Sequence, residues 1–356
     1  MENTSNIGNL FAFSQDPVVC VEHGFITYMN ASALSLFGRE MIGAPEHLLL
    51  PMPLPDVASD SFVASAKINQ KIVTVTRSKY ENQILYSFIL PDEKEYDSAI
   101  TAVSSSLRDL INGIKMTSDL MSDMSSQYED RRLQQYTAIL NHYSAKMKRL
   151  VNNYALHSAF QSNAQPFNPL MDSVNKIIID ICNEIELYSL PRNIKLSFKS
   201  NDEISASVDA PLLSQMLLNI ISNSLNHMPN GGEIKVDCFC KNQFITISIE
   251  DNGTGIPTDV LSSVFKSYSK QDNLSNLDFS AGLGLSVADA VAKLHGGTMI
   301  IQSVENQGTK VIVQFPRVID TRLMSPKIEY RIPMKESIMT DLSTWLTWED
   351  YLPKTK

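Results

Sequence analysis

The chain is short of basic charge, cysteine and long apolar runs. Of its 356 residues, 30 are Lys or Arg against 39 Asp or Glu, a formal net charge of -9. That balance argues against a nucleic-acid binder working by bulk electrostatics, which needs a basic face. Four cysteines are too few and too scattered for a disulfide framework. Cys20 and Cys182 stand alone, while Cys238 and Cys240 form C-x-C within an apolar alternation and read as thiols on one face of a strand. No apolar run approaches the roughly 18 residues of a membrane span, and the N-terminus lacks the charged-then-apolar order of a signal peptide. The expectation is a cytoplasmic protein with no membrane span and no nucleic-acid partner. With 43% hydrophobic and 19% charged residues there is material for a sizeable core, and the length suggests two or three domains.

Residues 1–94 read as short strands and turns. Strand, Gly turn and strand run from Pro17 through Gly24 to Met29. Asn30 then caps a helix that Gly38 stops. Alternating stretches follow at Lys71–Thr76 and Gln83–Leu90. Residues 95–160 change character. Val103, Leu107, Leu110, Ile114, Thr117, Met121 and Met124 alternate steps of four and three, as do Leu133, Tyr136, Leu140, Tyr143, Met147, Leu150 and Tyr154. Two heptad helices separated by the polar stretch Ser125–Asp130 make an antiparallel hairpin. One hairpin cannot bury both seams well, so a homodimer through residues 95–160, forming a four-helix bundle, is expected. The heptads taken alone favour a purely structural coiled-coil spacer.

Residues 161–318 are mixed. Helices are expected near Asn168–Glu186, Ala210–His227 and from Gly284 to Gly296, with strands at Gly232–Cys240, Gln243–Glu250, Thr298–Val304 and Thr309–Phe315. This is a sheet covered on one face. The tail, 319–356, holds both tryptophans and an amphipathic stretch Ile338–Tyr351 that reads as a docking helix.

Four motifs carry chemistry. Asp251-Asn252-Gly253-Thr254-Gly255 directly follows a strand. A carboxylate at a strand end, with glycines permitting tight turns, makes a pocket for a flat ligand, and Asp251 can accept a hydrogen bond from an exocyclic amine such as that of adenine. Gly282-Leu283-Gly284 opens a helix, whose free N–H groups suit phosphate. Asn219 and Asn223 are four apart on one helix face, where an amide suits a hydrated Mg²⁺. Gly308-Thr309 lies between the last two strands. Each motif alone has an ordinary structural explanation.

In this order and spacing they resemble the ATP-binding domain of sensor histidine kinases, whose wider family includes the gyrase, chaperone and mismatch-repair ATPases. The resemblance covers roughly 161–318 and implies ATP and Mg²⁺ as cofactors. It implies that Asp251 holds the adenine amine, Thr309 supports it through water, Asn219 and Asn223 form the N-box with Asn223 as Mg²⁺ ligand, Gly253 and Gly255 belong to the first glycine box, and Gly282 and Gly284 meet the phosphates. Phe265 matches the F-box, His227 lies near the nucleotide, and Lys266–Ala281 is the lid, from which Lys266 or Lys270 replaces the lysine that many members carry at Asn226. The segment 1–94 also resembles a PAS sensor. The implied fold class is multidomain α+β: a PAS-like α/β sensor (1–94), a helical hairpin (95–160), an α/β sandwich of the Bergerat type (161–318) and a tail (319–356). The implied setting is two-component signalling, with a response regulator or phosphotransfer protein as partner.

One departure is chemical. On the first hairpin helix Leu107 and Arg108 align with the phosphoacceptor box, but Ser105 stands where the family has its histidine and Ser106 where it has an acid. A serine hydroxyl is a poor nucleophile without a base, so self-phosphorylation at this place should be lost. No histidine lies between His47 and His142, so no shift of register along this helix restores one. His142 reads as exposed, off the second seam, and His157 as core. The chain is then a regulator that binds ATP, a kinase for another histidine or a partner protein, or a dimeric scaffold without catalysis.

Overall fold

The computed structural model describes residues 11, 14–50, 61–69, 71–80, 83–90, 99–127, 130–161, 165–257, 261, 283–320 and 334–352. Its N-terminal part is a five-stranded antiparallel sheet. The strands are β1 (Val18–Glu22), β2 (Phe25–Met29), β3 (Phe62–Ile68), β4 (Lys71–Tyr80) and β5 (Gln83–Ile89), in the order β2-β1-β5-β4-β3. His23 and Gly24, both at positive φ, make the first turn. Helix α1 (Ala31–Phe37) starts at Asn30, whose side chain accepts from Ala33 N, and stops at Gly38 in the left-handed conformation. Asn30 also accepts from Val18 N and donates to the Asp16 carbonyl, so the cap ties the helix to the first strand. Glu46, Arg77 and Tyr86 form a polar cluster joined by mutual hydrogen bonds.

Two long helices follow, α2 (Ala99–Gln127) and α3 (Arg131–Gln161). They pack on each other through small and polar positions. Ile111, Ser118 and Ala138 are buried, and the Ser118 hydroxyl donates to the Thr137 carbonyl at 3.2 Å. The apolar seams instead face outward: Leu110 is 66% exposed, Tyr136 64% and Tyr143 60%, with Ile114, Met121, Met124, Leu140 and Met147 also exposed. The heptads therefore mark a face that one chain leaves uncovered.

The third part builds around α4 (Val174–Ser189) and α5 (Ala210–Asn226), which cover one face of a second run of strands. The expected helix near Asn168 begins later. Leu170–Ser173 is a strand (β6) paired with β8 (Ser205–Val208), and Ser173 caps α4 by accepting from Lys176 N. Neither β8 nor β7 (Ile194–Ser200) is anticipated by the sequence reading. Strand β7 pairs in parallel with β9 (Gly232–Lys241), which makes a hairpin with β10 (Phe244–Asp251) through Asn242 and Gln243, both at positive φ. Helix α6 (Leu283–Leu294) leads to β11 (Thr298–Val304) and β12 (Gly308–Pro316). Leu213, Leu217, Ile220 and Ile221 of α5 are essentially fully buried. Each contributes roughly 1.5–3 kcal/mol relative to an exposed side chain.

Helix α5 is set by its N-cap. Asp209 accepts from Leu212 N at 3.2 Å and from Asn168 N at 2.9 Å, and Pro211 stands in the first turn, where its missing N–H costs nothing. Asp209 N donates to His295 Nε2 at 3.2 Å, while His295 Nδ1 faces the Val291 carbonyl at 2.9 Å. These partners require the neutral Nδ1–H tautomer, in keeping with burial lowering the pKa of His295.

The two sheets are one. Val63 and Ala64 of β3 pair antiparallel with Ile301 and Ile300 of β11, giving ten strands in the order β2-β1-β5-β4-β3-β11-β12-β10-β9-β7. Ile300 and Ile312 pack into the N-terminal core, while Met299, Ile301, Val311 and Val313 pack under α5 and α6. Strands buried on both faces read as continuous apolar runs, and Met299-Ile300-Ile301 does so. Helix α7 (Met334–Asp341) and a 3-10 turn at Trp348–Tyr351 complete the described chain. The expected single docking helix is thus two short pieces, and Ile338, Leu342 and Leu346 enter the main core.

Candidate functional site

The site lies where β10 ends, between α5 and the β11–β12 hairpin. Asp251 is the last residue of β10 and is buried. Its Oδ1 accepts from Gly253 N at 3.0 Å and from Thr309 N at 3.2 Å, and its Oδ2 accepts from the Ser224 hydroxyl at 2.7 Å. A carboxylate offers about four acceptor positions, so these three donors fix its plane and leave capacity for one more. A buried acceptor of this kind suits an N–H donor on a flat ligand.

The loop after Asp251 is pinned on both sides. Thr254 N donates to the His227 carbonyl at 3.1 Å, and Asn306 N donates to the Thr254 carbonyl at 2.7 Å. Gly255, at φ 66°, lies so close to the hairpin that a Cβ would stand 2.2 Å from the Val304 carbonyl oxygen. Gly308, at φ 119°, is tighter still, with a Cβ 2.0 Å from the Asp251 carbonyl oxygen. Any side chain at either position would force the loop and hairpin apart. Ser303 binds the pieces together: its hydroxyl accepts from Ile256 N at 2.8 Å, faces the Gly308 carbonyl at 3.0 Å and lies 2.9 Å from Thr309 Oγ1. Asn252 turns away from the site and accepts from Glu233 N at 2.8 Å.

Asn219 and Asn223 lie on α5, one turn apart. Asn219 is buried and exchanges amide hydrogen bonds with Asn153 of α3, receiving one at 3.1 Å and donating one at 3.4 Å. Asn223 is half-buried. Gly284 sits in the first turn of α6 against Asn219, where a Cβ would meet Asn219 Oδ1 at 3.1 Å. His227 is the exposed C-cap of α5. Asn226 is exposed and donates to the Ser222 carbonyl and to Thr344 Oγ1.

The fold therefore brings Asp251, Gly253, Gly255 and Thr309 into one cluster and sets Asn219, Asn223 and Gly284 on neighbouring helices. Phe265, Lys266, Lys270 and Gly282, with the lid segment 266–281, lie outside the described residues, as do the side chains of Ser105 and Arg108. Ser105 itself falls within α2. His142 is not exposed, as the heptad suggests. It is buried, Nε2 is 3.0 Å from the Ser343 carbonyl, its ring stacks on Tyr351, and burial lowers its pKa. The C-terminal segment, which covers it, has no heptad to betray it. His157 is buried and its pKa is lowered too, as a core position requires. Sequence reasoning missed Ser224, Ser303 and Asn153. Ser224 directly follows Asn223, so its place on the helix was readable, but its bond to Asp251 joins residues 27 apart in sequence.

The family model described as histidine kinase-, DNA gyrase B-, and HSP90-like ATPase matches residues 208–319. Sensor histidine kinase WalK of Bacillus subtilis (strain 168) is 21% identical over 336 residues, 87% of this chain and 55% of the relative. Sporulation kinase D of the same organism is 22% identical over 216 residues, 61% of this chain and 41% of the relative. Histidine protein kinase DivJ of Caulobacter vibrioides is 25% identical over 215 residues, 60% of this chain and 36% of the relative. The chain thus spans about half the length, or less, of these relatives. Among solved structures, full-length ShkA in complex with AMPPNP shares the fold at a TM-score of 0.51 and 16% identity, over 62% of this chain and 46% of that one. No described helix is long and apolar enough to cross a membrane. Residues 208–319 thus carry the histidine kinase-, DNA gyrase B-, and HSP90-like ATPase domain.

Proposed function

We propose that the protein is a dimeric, cytoplasmic two-component signalling protein that binds ATP with Mg²⁺ in the cluster around Asp251. In this reading residues 1–94 are a PAS-like sensor, 95–160 the dimerisation hairpin and 161–318 the ATP-binding domain. The observation that carries it is the buried Asp251 carboxylate, oriented by three donors and open to one more. Asp251 accepts the adenine amine, with the Thr309 and Ser303 hydroxyls beside it. Asn223, a neutral oxygen donor beside Ser224 on α5, suits Mg²⁺, a hard cation that keeps most of its waters. The N-terminus of α6 faces the phosphates, joined by Gly282 and by Lys266 or Lys270. The metal's contribution when bound is to neutralise phosphate charge. The outward seams of α2 and α3 support the homodimer, because two such faces together bury what one chain exposes.

The nucleotide's phosphoryl group has no histidine to receive it at Ser105. A buried His142 in contact with Ser343 does not replace it. Transfer is therefore either absent, leaving a nucleotide-dependent regulator, or directed to a partner such as a response regulator or phosphotransfer protein. The test is incubation with γ-phosphate-labelled ATP and Mg²⁺, followed by acid and alkali treatment. A regulator shows ATP binding and no label. Acid-labile label on the protein itself would overturn the assignment of a lost acceptor. Alkali-labile, acid-stable label points to Ser105 or its neighbours.

A further inference from the structure

The segment Met334–Tyr351 lies between the hairpin and the ATPase domain and bonds to both. On the hairpin side, the Ser343 carbonyl meets His142 Nε2, Tyr351 stacks on the His142 ring, and Thr344 Oγ1 accepts from Arg149 Nη1. On the domain side, the same Thr344 hydroxyl oxygen accepts from Asn226 Nδ2 at 3.0 Å, and Asp341 Oδ1 accepts from Gln215 Nε2 at 3.1 Å. Gln215 also donates to Asn153 Oδ1 at 3.4 Å, which joins the chain Asp341, Gln215, Asn153 and Asn219. A second anchor holds the far end: Arg192 pairs with Asp350 at 2.6 Å and lies over the Trp345 ring.

Two features distinguish this contact from an inert core. First, it is strained in charge. Arg149 and Asp341 are both buried and attract each other, yet no ion pair joins them among the described residues, and Arg149 Nε has no hydrogen-bond partner there. Burial lowers the Arg149 pKa and raises that of Asp341, the shifts of charged groups whose lost hydration is only partly replaced. Second, it is placed at a particular height. Counting equally along both helices from the Ser118–Thr137 contact sets Ser105 level with Leu150, next to Arg149. The segment thus fastens α5, the helix that carries Asn219 and Asn223, beside the hairpin at the height of the vacant acceptor position.

We infer that Met334–Tyr351 is an intramolecular clamp that holds the ATPase domain docked on α3, and that the domain moves relative to the hairpin only when this clamp is released. The inference deepens the regulatory side of the proposed function, and its test reads conformation, so it succeeds or fails apart from nucleotide binding. Deleting the segment would strip Ile338, Leu342 and Leu346 from the main core and threatens folding. The informative variants are therefore Thr344→Val, which keeps shape and removes the shared oxygen, and Arg149→Met, which removes the buried cation. Small-angle scattering of the full chain, with circular dichroism to establish folding, reads the outcome. The expected result is a compact wild type and a radius of gyration larger by at least roughly a tenth in the double variant. A folded double variant with the wild-type radius overturns the clamp, as does a wild type already extended. Binding of a fluorescent ATP analogue, measured alongside, tests the pocket alone.

Discussion

Replacing Asp251 by asparagine keeps the size of the side chain and removes its charge. The oxygen that accepts from Gly253 N and Thr309 N can stay in place, because an amide oxygen also takes two donors. The other position changes from acceptor to N–H₂ donor, and the Ser224 hydroxyl must rotate to accept from it. Charged hydrogen bonds become neutral ones at all three partners, a loss of about 1–2 kcal/mol in folding stability. The effect on an adenine amine is of another kind, since a donor now faces a donor. A hydrogen bond to a charged group contributes about 1.5–3 kcal/mol, so affinity should fall roughly 10- to 150-fold. Titration calorimetry with ATP and Mg²⁺ measures this, and thermal unfolding shows the fold is kept. Ser224→Ala provides the graded comparison: it leaves the carboxylate and two amide donors in place, so its affinity loss should be smaller. An Asp251→Asn protein that folds and binds ATP within threefold of wild type would refute the assignment of Asp251 to adenine.

Asn223→Ala should weaken Mg²⁺-ATP more than ATP measured in chelator, and equal losses would reject a metal role. Leu110→Glu with Tyr143→Glu places charge on the exposed seams of α2 and α3 and should shift the chain to monomer by light scattering; an unchanged mass would move the dimer elsewhere. Stability should fall on acidification. His142, His157 and His295 are held neutral by burial, so their folded pKa values lie below the ~6.5 of an unfolded chain. Between those values the unfolded state binds more protons, so stability declines as pH drops below ~6.5 and levels off below the folded values. Lys146 beside His142 adds to this, while Glu349 and Asp350 oppose it. Asp341, raised by burial, loses stability in the opposite direction, as pH rises from ~3.9 through its folded value. A thermal midpoint that does not fall from pH 7.5 to 5.5 would contradict the histidine argument.

Local signals in the sequence served well where local physics decides. Asn30 and Gly38 bound their helix as caps should, and the heptads placed the two long helices α2 and α3. Strands β9, β10, β11 and β12 lie within a residue or two of the alternation that marks them. The failures share a cause. Leu170–Ser173 looked helical because its apolar content continues into α4, yet it pairs with Ser205–Val208, more than thirty residues on. His142 looked exposed because heptad phase describes two helices only, and the covering Ser343 and Tyr351 arrive 200 residues later. Pairing and cover across such separations leave no periodic trace at either end.

The pocket residues divide the same way. Asp251, Gly253, Gly255 and Thr309 stood out because the backbone demands them: a carboxylate at a strand end, and glycines where a Cβ would strike a carbonyl. Ser224 and Ser303 did not stand out, because serine is common and their value lies in partners brought by the fold. The join between the two sheets is the extreme case. An edge strand left open invites pairing, and β3 and β11 close each other's edges through the paired Val63, Ala64, Ile300 and Ile301 and a bond from the Thr298 hydroxyl to the Ser65 carbonyl. Alternate residues of β11 then serve opposite cores, Ile300 the N-terminal one and Ile301 the one under α5 and α6. Ser303, which bonds Thr309 beside Asp251, is two residues past Ile301 on the same strand. A slip of one residue between β3 and β11 would exchange the faces of their side chains, so the N-terminal unit and the Asp251 pocket share one register.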